Sequence, residues 1–504
     1  MKNNLLKSIF ITGFLSVAGN CMAQDGTLDV SFGSGGIVQT ISAHEAFDMA
    51  IQSDGKIVVA GSINMGNYDI AVARYNTNGT LDNTFGTSGI ANVDFNGGND
   101  DASAVLIQPD GKIVVVGRAQ NSSNNNSDLA VVRLNTNGTL DNTFATNGKF
   151  KLDVDGYAFD YALDAELQSD GKIVVVAMAG TDMFSKNAVL RLNTNGTLDN
   201  SFDGDGILKA FSFASFNISS LHSLTIQPDG KILIAGSKNN NFAVARLNTD
   251  GSLDNSYGTS GVYSGTDMST ISRIYLQSDG KLLATYSHAT QTSIIVVRLN
   301  SNGTMDTGFG TSGKVSTSLG TPSTYDFALD LAIQPNGKIV VAGSSYSTTT
   351  ISDFVLARYN SNGTIDNTFG ATSNGTVITS VAPTAEDRGK AIKLQADGKI
   401  VVAGSNCSGS CDFVLLRYQN TDGVSGIPES NSKNNIKLFP NPNRGEFILE
   451  VTEPGIIEIT DFTGRIISSH ETKVGVNRLS ENIPAGIYFI HDKINNAIQK
   501  LIIQ

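Results

Sequence analysis

One phrase recurs seven times along the chain. Its first copy reads Gln52-Ser53-Asp54-Gly55-Lys56-Ile57-Val58-Val59-Ala60-Gly61. The lysines of its turn, Lys56, Lys112, Lys172, Lys231, Lys281, Lys338 and Lys399, stand 56, 60, 59, 50, 57 and 61 residues apart. A period of that size demands an array of supersecondary units, each unable to bury its apolar face alone.

Each unit reads as four strands. An apolar run such as 328–334 ends at the repeated Gln. The Asp-Gly or Asn-Gly pair then makes a tight hairpin turn, because both residues adopt positive φ at low cost. An Ile-Val-Val run follows, then a variable loop and a third strand such as 353–360. A second turn, Asn362-Gly363-Thr364-Ile365-Asp366, leads to a Phe-Gly pair and a fourth strand. Short strands at regular spacing indicate an all-β propeller, sandwich or barrel, and seven four-stranded copies favour a seven-bladed β-propeller over a linear β-solenoid.

The ends decide between ring and line. The last copy stops before its fourth strand, near Asp422-Gly423. The missing half stands at the other end, in Gly26-Thr27-Leu28-Asp29-Val30-Ser31-Phe32-Gly33 and the apolar run after it. The two halves balance only if residues near 36–42 complete the blade built from residues near 389–419. Such closure removes a sheet edge that invites aggregation.

The phrase Q-x-D-G-K-I-V-V-A-G followed by R-x-N-x-x-G-x-x-D-x-x-F-G resembles the delta-60 repeat family of bacterial surface and secreted proteins. The resemblance covers about 400 residues, the last copy departing with Gln419 where Asn is usual. It implies a propeller-type repeat and carries no catalytic activity to this chain.

An Arg of the third strand and an Asp of the following turn are present in every copy. The pairs are Arg74 with Asp82, Arg133 with Asp141, Arg191 with Asp199, Arg246 with Asp254, Arg298 with Asp306 and Arg358 with Asp366. Arg417 finds its Asp only at Asp29. We read them as intrablade structural ion pairs, the guanidinium holding carboxylate and turn carbonyls together. The turn 76–82 also resembles an oxygen-rich calcium loop without the spacing and bidentate Glu of an EF-hand. A hydrogen-bonded Asx turn explains it; no cofactor is expected, with calcium the alternative reading of this turn.

Specificity belongs where copies differ. The loops 120–127, 180–187, 211–219, 263–270, 344–352 and 405–411 vary, and with the blade-to-blade connections they share one face. Eight residues before the repeated Gln stand His44, Asp100, Asp160, Ser219, Ser269, Asp326 and Asp387, expected at the channel mouth. Of these, His44, Asp100, Asp160, Asp326 and Asp387 are candidate ligand-binding groups, the rival reading being solvated or turn-capping side chains. With no Trp in the chain, a sugar platform would use Tyr157, Phe159, Tyr161, Phe211, Phe213 or Phe216. No catalytic or metal-ligand pattern is found. A net charge of −12 without a basic patch disfavours nucleic acid and anionic membrane surfaces.

Residues 1–23 have a basic start, an apolar run of residues 9–19 and small Ala23, the layout of a cleavable export signal too short to span a bilayer. No later segment is apolar enough for a transmembrane span. In the oxidising compartment this implies, Cys407 and Cys411 are expected to form a disulfide. Residues 24–422 make the propeller and 423–435 a linker. Residues 436–504 hold short apolar strands between Gly and Pro turns, the pattern of a small C-terminal β-sandwich. Within them Pro440-Asn441-Pro442, Gly445, Gly464, Gly486, Tyr488 and Lys500 resemble the type A sorting domain of the type IX secretion system. The resemblance implies recognition by that secretion machinery and delivery to the medium or the outer-membrane surface. The expected function is binding or adhesion, to a surface glycan or protein. The alternative is an extracellular polysaccharide lyase or glycosidase using inner-ring carboxylates.

Overall fold

The computed structural model describes residues 24–421 except 41–42, 96, 124–125, 155, 157–158, 182–183, 210–217, 289–292, 320–324 and 347–350, and residues 436–503 except 440–444, 452–453, 462–465, 482, 484–485 and 493–497. Residues 1–23, expected to be an export signal, residues 423–435, expected to be a linker, and Tyr157, Phe211, Phe213, Phe216, Pro440, Asn441, Pro442 and Gly464 lie outside the described residues. The chain divides into two compact units between Gly423 and Val424. Among the described residues no helix is long and apolar enough to cross a membrane.

The repeated phrase folds as an antiparallel four-stranded sheet. In the first blade the order is Ala43–Ile51, Ile57–Asn64, Tyr68–Tyr75 and Ile90–Val93, from the inside outward. Its second and third strands are continuous β-branched and small apolar runs, buried on both faces because a blade lies on either side. The turn between the first two strands differs from a two-residue hairpin. It has three residues, with positive φ only at the glycine (84° at Gly55), and Asp54 Oδ1 accepts the Lys56 N–H at 3.1 Å. That is a turn ending in a left-handed residue, which glycine takes without steric cost.

Seven apolar clusters lie between successive blades. That of blades one and two contains Val58, Phe85 and Val115; that of blades six and seven contains Leu356, Phe369 and Val402. The cluster joining Ala403 and Phe413 of the last blade to Val59 and Ala71 of the first includes Phe32. The N-terminal strand Ile37–Thr40 is the outer strand of the last blade and pairs antiparallel with Ser410–Tyr418, Ile37 facing Leu416 and Thr40 facing Phe413. Blades four and five share one strand, Val262–Leu276, which is outer strand to one and inner strand to the next. This is the shortest step of the array, Lys231 to Lys281, and it leaves no residues for a separate connection.

The Arg–Asp pairs do more than join two strands of one blade. Arg74 Nε donates to Asp82 Oδ2 at 2.8 Å, the Lys56 ammonium lies 3.1 Å from the same oxygen, and the guanidinium stands 4.6 Å over the Phe85 ring. Its Nη1 donates to the Thr136 carbonyl of the next blade at 2.5 Å. Arg133 reaches Thr194, Arg191 reaches Thr249, Arg246 reaches Ser301 and Arg298 reaches Ser361 in the same way. The pair is therefore a bond between blades as well as within one. In the last blade Arg417 pairs with Asp29 at 2.8 Å and stacks over Phe32. Arg358, fully buried, reaches Asp25 at 2.8 Å and Asn420 at 3.0 Å. The second turn is an Asx turn: Asn78 Oδ1 accepts from both the Thr80 N–H and its hydroxyl. At Gly363, with φ +86°, a Cβ would stand 2.8 Å from the Gly310 nitrogen, so only glycine allows the two blades to approach.

Cys407 and Cys411 face each other across the hairpin of the last blade and are joined as a disulfide. The C-terminal unit packs a three-stranded sheet (Ile436–Phe439, Glu446–Val451 and Gly475–Ser480) on a four-stranded one in the order Ile466–Thr472, Gly455–Asp461, Gly486–Asp492 and Ile498–Ile503. Phe447, Leu449, Ile459, Tyr488 and Leu501 fill the space between them. Gly445 has positive φ at the strand entry, Gly486 opens the strand carrying Tyr488, and Lys500 lies on the last strand.

Candidate functional site

The carboxylates expected at the channel mouth are not there. Asp100, Asp160, Asp326 and Asp387 are at most 2 % exposed. Each accepts a backbone N–H from the connection entering its blade: Asp100 from Phe95 at 2.6 Å, Asp160 from Val154 at 2.7 Å, Asp326 from Leu319 at 3.2 Å and Asp387 from Val381 at 2.7 Å. Amides left unpaired by the change of blade need an acceptor, and these side chains supply it. They are buried clasps, in line with the turn-capping reading, and Asp100 also gathers with Asp69 and Asp94. His44 stands apart from them, with Nδ1 3.3 Å from the Ser62 hydroxyl and its ring against Tyr68. Phe159 is half-buried, and the Tyr161 hydroxyl meets the Met178 sulfur.

Burial pushes the carboxyls of Asp100 and Asp160 up to about 6, with Asp94 and Asp69 adding to the first and Asp153 and Asp128 to the second. Burial also raises Asp326 and Asp387. A carboxyl whose folded value exceeds its unfolded one holds its proton longer in the native state, so stability falls as pH rises between the two values. His222, lowered by burial, acts in the opposite direction as its unfolded form loses its proton. We expect the carboxyls to prevail. The urea midpoint of the ring should drop between pH 4.5 and pH 7, with Asp100 and Asp160 contributing at most about 2 kcal/mol each. A midpoint that climbs over this interval would contradict the assignment.

The channel wall is built from two other positions, four and two residues before the repeated Gln. The strand carries a bulge just before the first of them, as between Ala162 and Asp164 or Ala328 and Asp330, which turns the side chain inward. The first position holds Asp48, Ala104, Asp164, Ser223, Arg273, Asp330 and Ala391 around the ring; the second holds Ala50, Leu106, Glu166, Thr225, Tyr275, Ala332 and Lys393. Asp48 accepts the Val105 N–H of the next blade at 2.9 Å, Asp164 that of Leu224 at 3.1 Å and Asp330 that of Ile392 at 2.9 Å.

Arg273 crosses the channel. Nη1 lies 2.5 Å from Asp164, Nη2 3.4 Å from Asp48 and Nε 3.5 Å from Asp330, so one guanidinium joins blade five to blades one, three and six. Lys393 stands 3.5 Å from Asp330. Burial raises the Asp48 carboxyl despite these cations.

On the Asp-Gly-Lys side of Arg273 a small chamber of about 360 Å³ adjoins an off-centre cavity of about 1050 Å³ over blades three to six. Glu166 and Tyr275 line both. Tyr275 is 41 % exposed, and amides and hydroxyls such as Gln227, Gln277, Ser169 and Ser278 share the wall. The cavity thus lies on the face whose turns are nearly identical from blade to blade, not on the variable face favoured by the sequence. A partial signal was present: two offsets that mix charged, polar and apolar residues from copy to copy, beside positions that stay apolar in every copy.

The family described as domain of unknown function (DUF5122) beta-propeller matches residues 52–85, 108–144, 168–202, 227–257, 277–309, 334–369 and 395–424. The secretion system C-terminal sorting domain matches residues 437–504. No curated protein matches the chain. Among solved structures, virginiamycin B lyase from Staphylococcus aureus is similar at 11 % identity and a TM-score of 0.41, covering 75 % of this chain and 97 % of that one. Drosophila Semaphorin 2a is similar at 8 % identity and a TM-score of 0.44, covering 95 % of this chain and 98 % of that one.

Proposed function

We propose that this chain, which belongs to the DUF5122 beta-propeller family and ends in a secretion system C-terminal sorting domain, is a binding module that holds its ligand in the off-centre cavity. The sorting domain directs the protein to the extracellular space or the outer-membrane surface, and it is the part that meets the secretion machinery. The observation that carries the binding reading is the exposed Tyr275 ring in a cavity walled by amides and hydroxyls. Such a mixture of one apolar face and convergent polar groups suits a polar ligand such as a surface glycan. The reading requires no catalysis and no cofactor.

The test is a glycan array probed with the purified protein and with Tyr275→Ala. Binding by the natural chain and at least a tenfold loss in the variant is the expected result. Binding that survives Tyr275→Ala but is lost on replacing loop 405–411 would move the site to the variable face. Silence across the array would end the glycan version. One observation favours the enzymatic alternative: burial lifts the Glu166 carboxyl to about 7, beside Asp164, where it can donate a proton. Against it, Asp164 is held by Arg273 and is not a free second acid. Polysaccharide cleavage abolished by Glu166→Gln would favour the enzyme.

A further inference from the structure

Resting on the reading of this cavity as the ligand site, we propose that it recognises an organic ammonium group, seated on the Glu166 carboxylate beside the Tyr275 ring. The argument begins with a charge count. Four carboxylates, Asp48, Asp164, Glu166 and Asp330, line the chamber below the cavity, with two cations, Arg273 and Lys393. Both cations are committed elsewhere: Arg273 to the three aspartates and Lys393 to Asp330. Glu166 Oε2 accepts the Ile226 N–H at 2.8 Å, and no Lys or Arg forms an ion pair with it among the described residues. The chamber therefore keeps an excess of negative charge at the point where it meets the cavity. A buried carboxylate in that position is relieved by a proton or by a cation brought from outside.

Tyr275 decides the kind of cation. Its partly exposed side chain lines the same space as Glu166, and an aromatic group sharing a cavity with a carboxylate suits a cation with an apolar surround, an alkylammonium rather than a hydrated metal ion. Anionic ligands are disfavoured, because the cations at the rim are spent: Lys172 and Arg191 lie 3.1 Å and 2.7 Å from Asp199.

Binding is then linked to pH. Burial, and next the charge of Asp164 on the same strand, raise the Glu166 carboxyl to about 7. Thr225 and the Ile226 N–H from blade four, and Arg273 from blade five, oppose them. An ammonium ligand requires the ionised form, so its affinity rises with pH up to about 7 and levels off above, by as much as about tenfold per unit on the rising side.

The experiment titrates the protein, residues 24–504, with three probes, followed by ligand NMR between pH 5 and pH 8. Choline carries a permanent charge, 3,3-dimethylbutanol is its neutral counterpart of the same shape, and Nα-acetyl-lysinamide is the primary-amine form. Both ammonium probes are expected to bind at least tenfold tighter than the alcohol at pH 8, with that margin shrinking at pH 5. Glu166→Gln should erase the margin and its pH dependence. Tyr275→Leu, a change at an exposed wall position, should weaken both charged probes if Glu166→Gln fails to fold. Equal binding of choline and the alcohol, a margin indifferent to Glu166→Gln, or no binding of either ammonium probe overturns the inference. A neutral glycan whose binding depends on Tyr275 would leave the binding reading intact in each of those cases.

Discussion

Arg273→Met is expected to destabilise the ring by about 3–5 kcal/mol at pH 8 and by less at pH 5. The substitution keeps most of the side-chain volume and removes the charge that Asp48, Asp164 and Asp330 share, leaving carboxylates 2–5 % exposed without their common cation. An unpaired buried charge costs its full desolvation, whereas a protonated carboxyl costs much less. Lowering the pH lets the three aspartates take up protons, so the penalty should shrink. This dependence separates loss of charge from loss of packing, which would be the same at both pH values. A double substitution supplies the second check. Asp164→Asn in the Arg273→Met background should be less harmful than in the natural chain, because the carboxylate it removes is by then a liability. If the two changes simply add, Arg273 is packing and not an electrostatic tie. Far-UV and near-UV circular dichroism in urea at the two pH values reads all four proteins.

How much of this could be seen in the sequence differs between strand and site. The alternation of Ile-Val-Val runs with Asp-Gly and Asn-Gly turns defines a blade locally, and repetition multiplies the signal. The Arg–Asp pairs were legible for the same reason, since Arg74 and Asp82 are close in sequence and recur together. Their second role was not, because Arg74 meets the Thr136 carbonyl only when two blades stack. The inner-ring carboxylates misled for a related reason. An Asp near a loop reads equally as ligand-binding, solvated or turn-capping, and only the stacked blades show that Asp100 and Asp387 cap backbone amides that the passage between blades leaves unpaired. Arg273 was hidden more deeply. Its partners Asp164 and Asp48 stand 109 and 225 residues away, and only the closed circle brings them together. A bulge ahead of each position also shifts which side chains face inward, and no composition rule reports it.

The second large effect concerns Phe32. Its ring is fully buried in the cluster between the last blade and the first, and the Arg417 guanidinium stands 4.4 Å from its centroid. Phe144 holds the same place in the middle of the chain, buried to the same degree with Arg133 4.6 Å away. In a linear array, truncating a side chain near the terminus would let the end unit fray while the rest stood, and the loss would be small. In a circle every blade has two neighbours, so opening either joint exposes the same apolar surface. We therefore expect Phe32→Ala and Phe144→Ala to lower the unfolding free energy by similar amounts, about 3–5 kcal/mol each. Removing residues 24–42 should do worse. It takes the outer strand from the last blade, Asp29 from Arg417 and Lys399, and Asp25 from Arg358. Several such losses together approach the whole stability of an ordinary domain, 5–15 kcal/mol. The shortened chain also bares the edge of Ser410–Tyr418, so aggregates in size-exclusion chromatography should accompany the loss. A Phe32→Ala protein that unfolds almost like the natural one, beside a crippled Phe144→Ala, would mean that the first strand decorates the ring without closing it.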